Sequence, residues 1–72
     1  MSNLYQIPAP QVYLVFVHDM TESGIPFMDR RGEVIARTAN EAVRAAINLN
    51  LIQKETELMQ TEVRRVEGEQ TK

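Results

Sequence analysis

Apolar side chains run without a break over residues 12–17, Val-Tyr-Leu-Val-Phe-Val, preceded by Pro10 and followed by His18-Asp19. A β-branched and aromatic run of this length predicts a strand. An antiparallel strand with one wet face alternates apolar and polar residues. This one does not alternate, so both of its faces need cover, one from a helix and the other from the N-terminal arm or a second chain. Two polar clusters follow, Thr21-Glu22-Ser23-Gly24 and Asp29-Arg30-Arg31-Gly32. Both read as turns, because Asp bonds its own backbone and Gly accepts positive φ. Short strands are then expected over residues 25–28, limited by Pro26 to an edge or a strand start, and over residues 33–37. In the latter Val34 and Ala36 alternate with Glu33, Ile35 and Arg37.

From Thr38 the period changes. Thr38-Ala39-Asn40-Glu41 matches a capping box, with the Thr38 hydroxyl accepting from the Glu41 amide and the Glu41 carboxylate reaching back to the Thr38 amide. Ala39, Ala42, Val43, Ala46, Ile47 and Leu51 then fall at helical spacing, an apolar stripe suited to lying on the sheet. No Gly or Pro occurs between Gly32 and Gly68, and Asn48 and Asn50 are the only candidate stops. Leu49, Ile52, Thr56, Met59, Val63 and Val66 recur at spacings of three and four, a heptad seam with one polar member. The expected fold is therefore α+β, a small antiparallel β-hairpin or meander followed by one long C-terminal helix over residues 38–66, bent near Asn50. At ~1.5 Å per residue that helix is on the order of 40 Å long, longer than the hairpin beneath it. The alternatives are a helix–turn–helix break near Asn50 and a ββαβ arrangement with a C-terminal strand around residues 62–67. Residues 1–10, with Pro8 and Pro10, are expected to form an extended arm, residues 11–67 the single domain, and residues 68–72 a flexible tail.

Composition narrows the function classes. With 72 residues, 43% hydrophobic and 25% charged, the chain can build one thin core. Scaffolds this small roughly balance burial against chain entropy, and natural ones add a disulfide, a metal or a partner. There is no Cys and one His, which excludes disulfides and Cys-containing zinc sites and leaves association as the expected supplement. A net charge of −2 and a pI near 5.3 disfavour a surface built wholly for nucleic acid or acidic membranes. The longest apolar run is too short for a membrane span or a signal segment, and a cytoplasmic location is expected.

Candidate chemistry is sparse. His18 beside Asp19 resembles a base with an orienting carboxylate, but neighbours on a strand point to opposite faces, and no Ser or Cys is placed as a nucleophile. His18, Asp19 and Glu22 match no ligand spacing, and neither Gly24 nor Gly32 sits in a phosphate-binding loop. No cofactor is expected. Phe27, Met28, Arg30 and Arg31 are expected at a hairpin tip, pairing apolar and guanidinium groups toward an acidic groove of a partner protein or, alternatively, a phosphate backbone. Arg64 and Arg65 lie among glutamates, which accounts for them as intrahelical pairs. The seam Leu49, Ile52, Met59, Val63 and Val66 is expected to mediate self-association, most simply as a dimer. The expected function is a non-enzymatic protein-protein interaction module, in its narrower form a phage-type accessory or inhibitor protein docking on a larger host protein. The alternative is a dimeric DNA-binding protein of strand–helix–helix type, with residues 33–37 in a groove.

Overall fold

The computed structural model describes residues 9–66; all but residues 9 and 10 of the arm expected over residues 1–10, and the whole of the tail expected over residues 68–72, lie outside them. Strand β1 (Gln11–Met20) is longer than its apolar run, because His18, Asp19 and Met20 continue the ladder beyond it. It pairs antiparallel with β2 (Pro26–Ala36), with Pro26 at the first position of the strand, where a missing amide costs least. The turn between them is the first of the two polar clusters. Gly24 takes φ +89, its amide donates to the Thr21 carbonyl at 2.9 Å, and the Thr21 hydroxyl accepts from the Ile25 amide at 3.0 Å.

The second polar cluster is not a turn. Asp29, Arg30, Arg31 and Gly32 lie inside β2, which continues through residues expected to form two strands and a second tip. The register shows why. Val15 pairs with Gly32 and Phe16 with Arg30, so Arg31 is an extra residue opposite the Val15–Phe16 step, a β-bulge. Gly32 at φ +150 supplies the backbone freedom that the bulge needs. A bulge and a tight turn draw on the same residue types, so composition alone does not separate them.

The helix start is where its capping residues place it. Thr38 is the N-cap of α1 (Ala39–Asn48), and its hydroxyl accepts from the Glu41 amide at 3.1 Å. The reciprocal bond is displaced by one residue, with Glu41 Oε1 accepting from the Arg37 amide at 3.0 Å. Caps of this kind contribute ~1 kcal/mol.

The single long helix is overturned: α1 ends at Asn48 and the chain turns back. Asn50 adopts left-handed φ 61, the Leu51 amide donates to the Ala46 carbonyl at 2.9 Å, and the Asn50 amide donates to Ile47 at 3.0 Å. These are the two bonds of a Schellman stop, with Asn in the place usually taken by Gly. A short helix α2 (Lys54–Glu57) runs on as a 3-10 turn (Leu58–Gln60), and β3 (Thr61–Arg65) then pairs antiparallel with β1. The sheet order is β2-β1-β3, which makes the most apolar strand the central one.

One face of the sheet carries the core. Tyr13, Val15 and Val17 of β1 and Val34 and Ala36 of β2 are buried against Ala42 and Ala46 of α1 and against Ile52, with Val43, Ala45, Ile47, Leu51 and Val63 packed around them. Small alanines on the helix allow close approach to the sheet, as the stripe predicts. The heptad seam does not form, because its members stand on separate elements. Leu49 caps α1 and is exposed, Ile52 is in the core, Met59 is 98% exposed in the 3-10 turn, Val63 packs on the core from β3, and Val66 follows β3.

Among the described residues, no helix is long and apolar enough to cross a membrane.

Candidate interaction site at the hairpin end

The buried stretch of β1 stops at Val17, and the hairpin continues for three more residues on each strand. There His18 pairs with Met28, Asp19 with Phe27 and Met20 with Pro26. These six residues and Gln60, at the end of the 3-10 turn, line a cleft of about 380 Å³. By strand alternation His18 and Met28 belong to one face of the sheet and Asp19 and Phe27 to the other, so the cleft draws on both. Its surroundings are apolar and wet: Met20 is 63% exposed, Ile25 60%, Phe27 43% and Met28 39%. None of them contributes to the buried core.

Two of the four expected partner-binding residues, Phe27 and Met28, therefore meet here. The other two do not. Arg30 lies further along β2 and pairs with Glu33 at 2.7 Å. Arg31, turned aside by the bulge, is a structural tie. Its guanidinium donates to both carboxylate oxygens of Glu57, at 2.9 and 2.7 Å, to the Leu51 carbonyl at 3.0 Å, and to Asp29 at 2.7 Å. One Glu57 oxygen also accepts from the Gln53 amide at 2.9 Å. Arg31 thus binds the segment after α1 to the middle of β2 with a two-pronged pair, the geometry in which Arg differs most from Lys.

That pair sets an acid limit. The Arg31 guanidinium, with help from the Gln53 amide, holds the Glu57 carboxyl below its ordinary 4.5. A depressed carboxylate pKa stabilises the fold fully above the unfolded value, and that stabilisation is lost as pH falls through the folded value. Stability should therefore decline below pH 4.5, and Arg31→Met should flatten the decline. At neutral pH Arg31→Met should lower the thermal midpoint clearly, while Arg30→Met, whose pair is more than half exposed on both sides, should leave it within error. Thermal scans by circular dichroism at pH 3, 4, 5 and 7 check both.

Among the described residues, nothing packs over the other face of the sheet, on which Leu14 and Phe16 are half-buried. On β1 it presents Val12, Leu14, Phe16 and His18; opposite them on β2 stand Ile35, Glu33, Arg30 and Met28, and on β3 Arg64 and Glu62. Val66 joins at the end, its amide donating to the Val12 carbonyl at 2.8 Å. Ile35 is 71% exposed, Val66 42% and Val12 37%. The Arg64 guanidinium lies 5.3 Å from the centre of the Phe16 ring and pairs with Glu62, while His18 Nε2 meets the other Glu62 oxygen at 2.7 Å. Arg64 and His18 together hold the Glu62 carboxyl below its ordinary value. Glu62 is 44 residues from His18, a partnership that only the β1–β3 register creates.

Asp19 is not the partner of His18; its carboxylate accepts from the Met20 amide at 2.7 Å. No group of three His, Cys, Asp or Glu side chains placed to hold a metal occurs among the described residues. The DNA-binding alternative requires a helix break near Asn50, and the break is there. It also requires a basic strand face, whereas Arg30 and Arg31 each meet carboxylates and Glu33 lies on that same strand. No family model, no curated protein and no solved structure matches this chain.

Proposed function

We propose that this chain is a non-enzymatic protein-interaction module that docks on a larger protein through the end of its β1–β2 hairpin. One observation carries the proposal: Met20, Ile25, Phe27 and Met28 stay exposed around a 380 Å³ cleft, on the part of the hairpin beyond the core. These apolar side chains lie outside the buried core, and recognition surfaces are enriched in Phe and Met. A cleft of this size lies at the small end of the range for ligand pockets, suited to one or two apolar side chains of a partner. The lack of cysteine fits action in the cytoplasm. The narrower role, a phage-type accessory or inhibitor protein, rests on small size and cysteine-free composition alone.

A photo-cross-linking phenylalanine analogue at position 27, expressed in the source cells, tests the proposal. The expected result is one discrete adduct with a larger protein, lost when Met20 and Met28 are both changed to Ser and absent when the analogue stands at Lys54. No adduct at position 27, or one of the same yield at Lys54, overturns it.

A further inference from the structure

We propose that the open face of the sheet is an interface with a second copy of this chain, giving a helix–sheet–sheet–helix sandwich. The surface adjoins the hairpin-end cleft at His18 and Met28 but centres on Val12, Leu14 and Phe16, and it is separate from the helical seam that sequence periodicity suggests. The first ground is its composition. A wet antiparallel face is normally polar, yet Val12, Leu14 and Phe16 occupy successive outward positions on the central strand, and Ile35 and Val66 flank Val12. Two such sheets packed face to face about 10 Å apart bury these residues in a second core.

The second ground is charge. Arg30, Glu33, Glu62 and Arg64 stand on this face and sum to zero, in a chain whose net charge is −2. Each is already paired within its own chain, Arg30 with Glu33 and Arg64 with Glu62. The face therefore meets a copy of itself without like-charge repulsion, as a self-complementary two-fold contact requires. An unrelated acidic or basic partner would gain nothing from a surface neutralised in this way.

The third ground is size. At ~3.3 Å per residue and ~4.8 Å between strands, the three strands present roughly 400 Å² in projection. Two copies thus present about 800 Å² in projection, and more over the ridged side-chain surface, close to the ~1,000 Å² that marks a specific interface. The need is also present. Among the described residues the core holds eight buried side chains, of which the largest fully buried are valines, and chains of this size without disulfide or metal commonly gain stability by association.

Sedimentation velocity on the full chain at about 100 µM decides the matter. The expected species is a dimer of the 8.2 kDa chain. Ile35→Glu, at a position 71% exposed in the single chain, should weaken it by roughly a hundredfold or more, because each dimer would bury two unpaired carboxylates. Its circular dichroism should stay that of a folded chain. Met59→Glu, in the 3-10 turn away from this face, should leave the dimer intact. If Ile35→Glu unfolds, Val66→Glu at the end of the same face replaces it. A monomeric wild type, or a dimer indifferent to the face variants, overturns the proposal. So does a dimer broken by Met59→Glu. Each of these outcomes leaves the cross-link at position 27 standing or falling on its own result.

Discussion

Replacing Ile52 with alanine should lower the unfolding free energy by about 2–4 kcal/mol, the usual cost of truncating a buried aliphatic side chain. A core as small as this one supplies only ~3–5 kcal/mol in total, so the variant should keep about 1 kcal/mol and be roughly 15% unfolded at 25 °C. Ile52 is 3% exposed and belongs to the cluster joining α1 to the sheet. The result discriminates sharply between two folds. On a continuous helix the same side chain stands on an outward seam, where truncation costs a monomer a few tenths of a kcal/mol. Urea unfolding followed by circular dichroism, with Leu49→Ala as the exposed neighbour, measures the difference. Equal midpoints for the two variants would place Ile52 outside the core.

The second large effect is expected at Gly32. Its φ of +150 is one that L side chains rarely adopt, and a β-carbon there would sit 3.2 and 3.3 Å from the two terminal methyls of Leu51. Strained backbone costs on the order of 1–3 kcal/mol and crowding adds to it, so Gly32→Val should cost about 2–4 kcal/mol. The two contributions separate in a double variant. Leu51→Ala combined with Gly32→Ala should cost less than the sum of the single changes, because the crowding is relieved while the backbone strain remains. Strict additivity would show that Leu51 does not pack on Gly32.

These two positions also show what was legible in the chain and what was not. The β1 strand, the first turn, the Thr38 cap and the stripe of Ala42, Ala46 and Ile47 are local signals, and the structure carries them. The end of α1 is also local, but it depends on Asn50 accepting a left-handed backbone, which Asn does less readily than Gly and which its identity alone does not announce. Arg31 illustrates a second kind of loss. Whether Asp29-Arg30-Arg31-Gly32 turns or bulges is decided by what lies across the ladder, Val15 and Phe16, and not by the four residues themselves. β3 is a third. Thr61-Glu62-Val63-Arg64-Arg65 includes good helix formers, and it becomes a strand because the edge of β1 offers it unpaired backbone groups. The candidate site divides in the same way. Phe27 and Met28 were legible as an exposed apolar pair, whereas the ties of His18 to Glu62 and of Arg31 to Glu57 exist only through long-range pairing.

The sheet order has a consequence for how the chain reaches its fold. The central strand is the first in sequence and one of its two neighbours is the last, with Tyr13 opposite Arg65. Local steps, the hairpin and α1, can form early, but closing the β1–β3 ladder joins segments some fifty residues apart and is slow by comparison. During synthesis β3 emerges after β1, β2 and α1. Until it docks, β1 carries the most apolar sequence in the chain on an unprotected edge, the configuration most prone to pair with another molecule. The five residues of β3 thus act as a guard on β1, and a chain stopped before Thr61 would retain its hairpin and helix while losing its protection against aggregation.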